Sequence, residues 1–120
     1  PFKAADADAV DAMRCHVAVL ADEVAGYVMV HRHFFRRPFV EFLAVHPDHR
    51  RRGVASALLD WAEAWAAEAV GASQLWVSTG QDNATMQRVL VSRGYRNSGL
   101  IADMFRVPEL IYHKAMGDGA

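Results

Sequence analysis

Cysteine is nearly absent from this 120-residue chain; Cys15 stands alone. No intrachain disulfide can form, so oxidative stapling is excluded and a reducing, cytoplasmic setting is expected. Long apolar runs are missing as well. None approaches the roughly 18 residues of a membrane span, and the opening PFKAADADAV lacks the apolar stretch of a signal peptide. Neither charge sign dominates: 13 Lys and Arg face 14 Asp and Glu, a formal charge of −1. That balance argues against a dedicated nucleic-acid binder, and neither nucleic acid nor membrane is expected as a partner. Linker-like Gly/Ser/Pro stretches, internal repeats and low-complexity blocks are lacking, which leaves one domain over residues 1–120. There is no initiator methionine, so the true N-terminus is expected to be missing. Two phosphate motifs are also lacking, G-x-x-x-x-G-K-[ST] and G-x-G-x-x-G, which disfavours a P-loop or a dinucleotide-binding Rossmann site.

What is present is an ordinary globular composition, 52% apolar and 22% charged, able to bury about two-thirds of its unfolded surface. Residues 2–13 suggest a short helix. Residues 14–20 alternate weakly, as a strand does, and 24–31 is a β-rich partner across a turn at 21–23. Residues 32–38 (RHFFRRP) read as a basic loop. Residues 39–45 (FVEFLAV) form an apolar run broken only by Glu41, as in a central strand covered on both faces. From Gly53 to Val70, apolar residues recur at helical spacing, with Gly71 as a C-cap. A strand is expected at 73–79, a helix capped by Asp82-Asn83 running to Arg93, a strand and loop over 95–104, and a last strand at 110–116. The class is α/β (α+β), a mixed sheet with helices on its faces.

The segment richest in chemistry is VHPDHRRRGVAS, Val45 to Ser56. A strand ends, the chain turns through cationic and small residues, and a long helix begins. The first turn of a helix presents about four unpaired N–H groups and the positive end of its dipole. Gly53 and Ala55 leave the backbone accessible, and Arg50, Arg51 and Arg52 add charged donors. A diphosphate-bearing ligand fits this turn. An ordinary helix start with a solvated basic turn fits it too.

The run Arg50-x-x-Gly53-x-Ala55, after Leu43-Ala44-Val45-His46-Pro47, resembles motif A of the GCN5-related N-acetyltransferase (GNAT) superfamily, [Q/R]-x-x-G-x-[G/A] between a strand and a helix. Asn83 to Tyr95 (NATMQRVLVSRGY) resembles its motif B, with Asn83, Gly94 and Tyr95 in register. The resemblance spans about residues 14–116 and implies the GNAT fold. That fold is a mixed, mostly antiparallel sheet with a splayed central strand pair and helices on both faces. The N-terminal strand and helix region is expected to be truncated here.

The resemblance also implies acetyl-CoA, or another acyl-CoA, as co-substrate and no metal. Backbone amides of Arg51, Arg52, Gly53, Val54, Ala55 and Ser56 would hold the pyrophosphate, with Arg50 at the start of the turn. The backbone of Leu43 and Val45 would pair with the pantetheine arm, and Asn83 would touch the arm or the thiol end. The implied reaction is direct acetyl transfer in a ternary complex to a primary amine, on a small molecule or a protein terminus. Sheet-margin homodimers are common among such proteins.

Glu41 is the lone ionisable group of its strand. Apolar surroundings make a carboxylate more basic, which suits a general base. The competing reading is a structural one, in which Glu41 pairs with a buried Arg or caps a strand bulge. Leu90 departs from the family pattern, where a Tyr protonates the leaving thiolate. Tyr27, Tyr95 and Tyr112 are substitute donors, Tyr112 being the candidate acid, beside water or unaided departure. Met86, where the family prefers Ala, narrows the approach to the cofactor. Trp61, Trp65 and Trp76 read as core. Phe34 to Arg37 could border the substrate mouth, Asp103 and Glu109 could attract a cationic amine, and Arg88 could reach the 3′-phosphate; each is equally an ordinary surface residue. His31-x-His33 lacks further metal ligands, and Cys15 has no evident His partner for a nucleophilic role. A non-catalytic CoA-binding or sensing domain is the alternative. An anion- or nucleic-acid-binding module on Arg50–Arg52 is a further one, disfavoured by the net charge.

Overall fold

Two-residue turns organise the first third of the chain. Ala21 and Asp22 (φ 51° and 64°) join β1 (Arg14–Leu20) to β2 (Glu23–Phe34), and Phe35 and Arg36 (φ 51° and 65°) join β2 to β3 (Arg37–Val45). Paired positive φ values at both central residues match the right-handed twist of the flanking strands. The computed structural model describes residues 12–116; the helix expected at 2–13 falls almost wholly outside them. The basic loop expected at 32–38 is instead two strand ends and a tight turn. The Phe34 ring stacks on Phe39 at 4.7 Å, and this aromatic pair carries the ladder out to the tip.

After β3 come a short 3-10 turn (Pro47–His49), helix α1 (Val54–Ala64), β4 (Gln74–Gly80), helix α2 (Ala84–Ser92), β5 (Arg96–Ile101) and β6 (Glu109–Ala115). The six strands run in the order β1-β2-β3-β4-β6-β5. Neighbours are antiparallel except β3 and β4, which are parallel and joined through α1. The long helix expected from Gly53 to Val70 is two pieces. Gly53 is the N-cap, in a left-handed conformation (φ 76°), and past Ala64 the chain widens into a π-helical turn, Trp65–Val70, closed by Gly71 at φ 73°.

Both described helices pack on the same face of the sheet. Leu58, Leu59 and Ala62 of α1 and Leu90 of α2 join Val28, Val30, Val40, Leu75, Val77 and Tyr112 in one buried cluster. Each large apolar side chain in it contributes about 2 kcal/mol. Trp65 belongs to this core, as expected. Trp61 packs at its margin and stacks on His16, and Trp76 lies on the far face, stacked on His113. Gly26 permits the close approach of α1, since a Cβ there would lie 2.5 Å from the Ala44 carbonyl oxygen and 3.0 Å from Val54. β3 is a central strand, yet it is not covered on both faces among the described residues, because Phe42 is 55% exposed. Among these residues no helix is long and apolar enough to cross a membrane.

Candidate active site

The site is built where β3 and β4 part. Their pairing consists of Phe39 with Trp76 and Val40 with Val77, and stops there, although β3 continues to Val45 and β4 to Gly80. The cause is local. Met29 pairs with Phe42 and Val30 with Val40, so Glu41 is an extra residue, a bulge in β3. A bulge bends its strand and increases the local twist, turning the last residues of β3 away from β4. The structural reading put Glu41 at a strand bulge or against a buried Arg; it is the extra residue of a bulge, and its partner is His31.

Two helices start at the carboxyl ends of these diverging strands, and their starts differ. At α2, the Asn83 side-chain oxygen accepts the Met86 N–H at 3.1 Å, an ordinary N-cap. The expected cap at Asn83 is thus formed, and it occupies Oδ1. At α1 the N-cap is Gly53, which has no side chain to offer. The first helical bond runs from Ala57 N–H to the Gly53 carbonyl at 3.0 Å. The amides of Val54, Ala55 and Ser56 therefore lack intrahelical acceptors. Arg50, Arg51 and Arg52 are exposed around them, with Arg51 at φ 65°. The turn is fixed from below: His46 N–H donates to the Ala25 carbonyl at 2.7 Å, and buried His49 lies 2.9 Å from Glu23 through Nε2. Leu43 and Val45 pack against the core cluster from β3.

Glu41 itself is not enclosed by apolar side chains, as its strand had suggested. Its side chain is 37% exposed, and Oε1 lies 2.7 Å from His31 Nε2. On the same face, Phe39, Phe34 and Trp76 form a contiguous aromatic strip. Beyond it lies a groove of about 570 Å³, lined by Phe34, Trp76, Ser98, Leu100 and Ile111 among others. A second hollow, of about 690 Å³, flanks the β2–β3 hairpin and Gly71–Gln74. Both lie toward the start of β3 and β4, away from the Arg50–Ser56 turn. Phe34, Phe35 and Arg37 border the groove.

The candidate proton donors separate cleanly. Tyr95 is buried and committed elsewhere: its hydroxyl donates to Glu63 Oε2 at 2.8 Å. Burial first, and the Glu63 hydrogen bond second, push its pKa well up, so it is a poor acid. Tyr112 is 4% exposed and pairs with Val77, next to the point where β3 and β4 diverge. Leu90 is fully buried in the core. Arg88 is exposed, and Cys15 is exposed on β1. Among the described residues no three His, Cys, Asp or Glu side chains converge as a metal site.

Sequence reasoning missed two polar assemblies. Glu63 on α1 accepts from Arg93 (3.0 Å), Tyr95 (2.8 Å) and Lys114 (3.1 Å), and Arg93 also reaches Asp60 at 2.6 Å. Burial opposes the Arg93 charge, but the two carboxylates outweigh it and its pKa is raised. Gln87 donates to the Gly80 and Gln81 carbonyls, tying the end of β4 to α2. Neither leaves a short-range sequence signal.

A chain with a bulged strand, a parallel pair that opens after two residue pairs, and an uncapped cationic helix start at the opening has close relatives in form. A crystal structure of a GNAT-family acetyltransferase from Bacillus cereus superposes with a TM-score of 0.78 at 26% identity, covering 88% of this chain and 72% of that one. Nourseothricin acetyltransferase superposes with a TM-score of 0.81 at 29% identity, covering 88% and 66%. A GNAT-family acetyltransferase from Elizabethkingia anophelis with acetyl-CoA bound shares the fold, with a TM-score of 0.77 at 14% identity, covering 87% and 76%. The chain spans 64–72% of the length of the first three such structures. No curated protein sequence matches it. The family model described as acetyltransferase (GNAT) family matches residues 2–95. The chain belongs to the GNAT acetyltransferase family.

Proposed function

We propose that this protein transfers acetyl from acetyl-CoA directly to a primary amine, with Glu41 as general base. The observation that carries the reading is the opening of β3 from β4 beside a helix start without a side-chain cap. Free amides of Val54, Ala55 and Ser56, with Arg50–Arg52 around them, suit a pyrophosphate. The diverging backbones at Leu43 and Val45 suit the amide-bearing arm of the cofactor, with Asn83 toward its thiol end. Thioester and amine then meet at the bulge. The ammonium gives one proton to Glu41, and its nitrogen attacks the thioester carbon. The C–N bond forms, the C–S bond breaks, and a second proton goes from nitrogen to the departing thiolate. The products are amide and free thiol. Tyr112, beside the divergence point, is the tyrosine best suited to mediate that last transfer. The groove lined by Phe34, Trp76 and Ile111 suits the body of the acceptor. A small molecule or a peptide terminus fits this open surface, and lone, exposed Cys15 fits a reducing cytoplasm.

Acetyl-CoA at about 100 times its dissociation constant should add roughly 2.7 kcal/mol to native stability, read as a thermal shift; sulfate and an oligonucleotide should add little. No shift with acetyl-CoA sinks the binding reading. Thiol release is then followed with nourseothricin and an alanine-initiated peptide as amines. Glu41→Gln should lower kcat by about 100-fold, within the usual range of general-base catalysis. A non-catalytic CoA-binding domain is the second reading. It is favoured by Leu90, which supplies no hydroxyl, and it predicts the thermal shift without thiol release.

A further inference from the structure

We infer that His31 is a positioning residue for Glu41, a neutral donor whose proton is fixed on Nε2 by the bulged backbone around it. The inference rests on Glu41 being the base. The chain of causes starts at Pro38, which has no N–H for the ladder. Pairing skips there: His31 pairs with Phe39 and Phe34 with Arg37, leaving Arg32 and His33 opposite Pro38 alone. At this irregularity the His33 N–H donates to His31 Nδ1 at 2.9 Å. A backbone N–H is an obligatory donor, so Nδ1 must act as the acceptor. The ring hydrogen of neutral His31 is then on Nε2, which lies 2.7 Å from Glu41 Oε1 and donates to it.

One bulge therefore sets the tautomer of His31, and the other presents Glu41 to it. The His31 side chain is 12% exposed and packed by the Phe39 ring at 5.6 Å and the His33 ring at 5.5 Å. It has little freedom to turn. With Oε1 held by this donor, the carboxylate plane is fixed and Oε2 is left for the ammonium. Holding a base in one orientation is a recognised source of rate, because small misplacements are costly.

Two measurements test this. In the free protein, long-range 15N–1H spectra of the His31 ring should show the Nε2–H tautomer; an Nδ1–H pattern overturns the inference without any acceptor being needed. In acetyl transfer to nourseothricin or the alanine-initiated peptide, His31→Leu should lower kcat about tenfold with KM for acetyl-CoA within twofold. His31→Gln, whose amide carries both an acceptor and a donor, should recover most of that loss. Adding His31→Leu to Glu41→Gln should cost nothing further, since the two act as one unit. Equal losses in His31→Leu and His31→Gln, or losses that multiply with Glu41→Gln, overturn the positioning role alone. Full activity in Glu41→Gln instead overturns the base assignment, and the positioning role with it.

Discussion

The two ends of α1 treat polar groups in opposite ways. At its C-terminal end, Glu63 is saturated: Arg93 just past α2, Tyr95 just before β5 and Lys114 on β6 converge on one carboxylate that is only 14% exposed. At its N-terminal end, Gly53 offers no cap, three amides have no helical acceptor, and three arginines stand around them unburied. The first end locks elements distant in sequence. The second leaves hydrogen-bonding capacity unspent where the sheet opens. Unmet polarity at a rigid position distinguishes the candidate site here, and satisfied polarity the scaffold.

Substitutions at the two ends should therefore part stability from binding. Glu63→Ala strands Lys114 and the Tyr95 hydroxyl and leaves Arg93 with Asp60 alone, and should cost about 3 kcal/mol, seen as a lower denaturant midpoint. Acetyl-CoA affinity of the folded protein should stay within a fewfold. Ala55→Glu should do the reverse. A carboxylate in the first turn of α1 favours the helix dipole by about 0.5 kcal/mol, yet it fills the anion position, so acetyl-CoA affinity should fall about 100-fold, or roughly 2.7 kcal/mol by the ordinary conversion. Calorimetric titration beside thermal melts reads both. A loss of both properties together would dissolve the contrast.

Alkaline pH sharpens the scaffold end. Tyr95 has a raised pKa in the folded protein, from burial and then Glu63. The native state therefore holds that proton more tightly than the unfolded chain. Stability is full below the ordinary tyrosine pKa of about 10 and falls as pH rises beyond it. Tyr95→Phe should flatten this alkaline decline while lowering stability near neutrality, measured by denaturant titration across pH 8–11. The smallest effect belongs to Gly53→Ala. The left-handed φ of 76° with no steric crowding at the Cβ position should cost about 1 kcal/mol from backbone strain alone, with cofactor binding weakened only as far as the turn shifts.

Much of this layout was legible in the sequence, and the limits have physical causes. The turn from Val45 to Ser56 and the cap at Asn83 were readable because helix starts depend on a few adjacent residues. The order of strands and helices followed from local periodicity. The hairpin at 32–38 misled because three arginines and a proline look like loop chemistry, whereas the stacking of Phe34 on Phe39 comes from cross-strand pairing. The π-helical turn at Trp65–Val70 has no periodic signature distinct from an α-helix. Glu41 stood out as a charge in an apolar run, but its partner lies on another strand, 10 residues away. Glu63 looked like an ordinary polar helix position, because its donors come from 30, 32 and 51 residues further on.

The parting of β3 from β4 has one more consequence. It gives the sheet an internal margin, two facing half-edges in mid-sheet in addition to the one at each flank. Exposed strand edges invite pairing with other chains. This one is a wedge, pinned shut at Val40 and Val77, so it favours a slim extended guest with spaced amides over a second polypeptide. If acetyl-CoA is that guest, resistance to unfolding should track its supply.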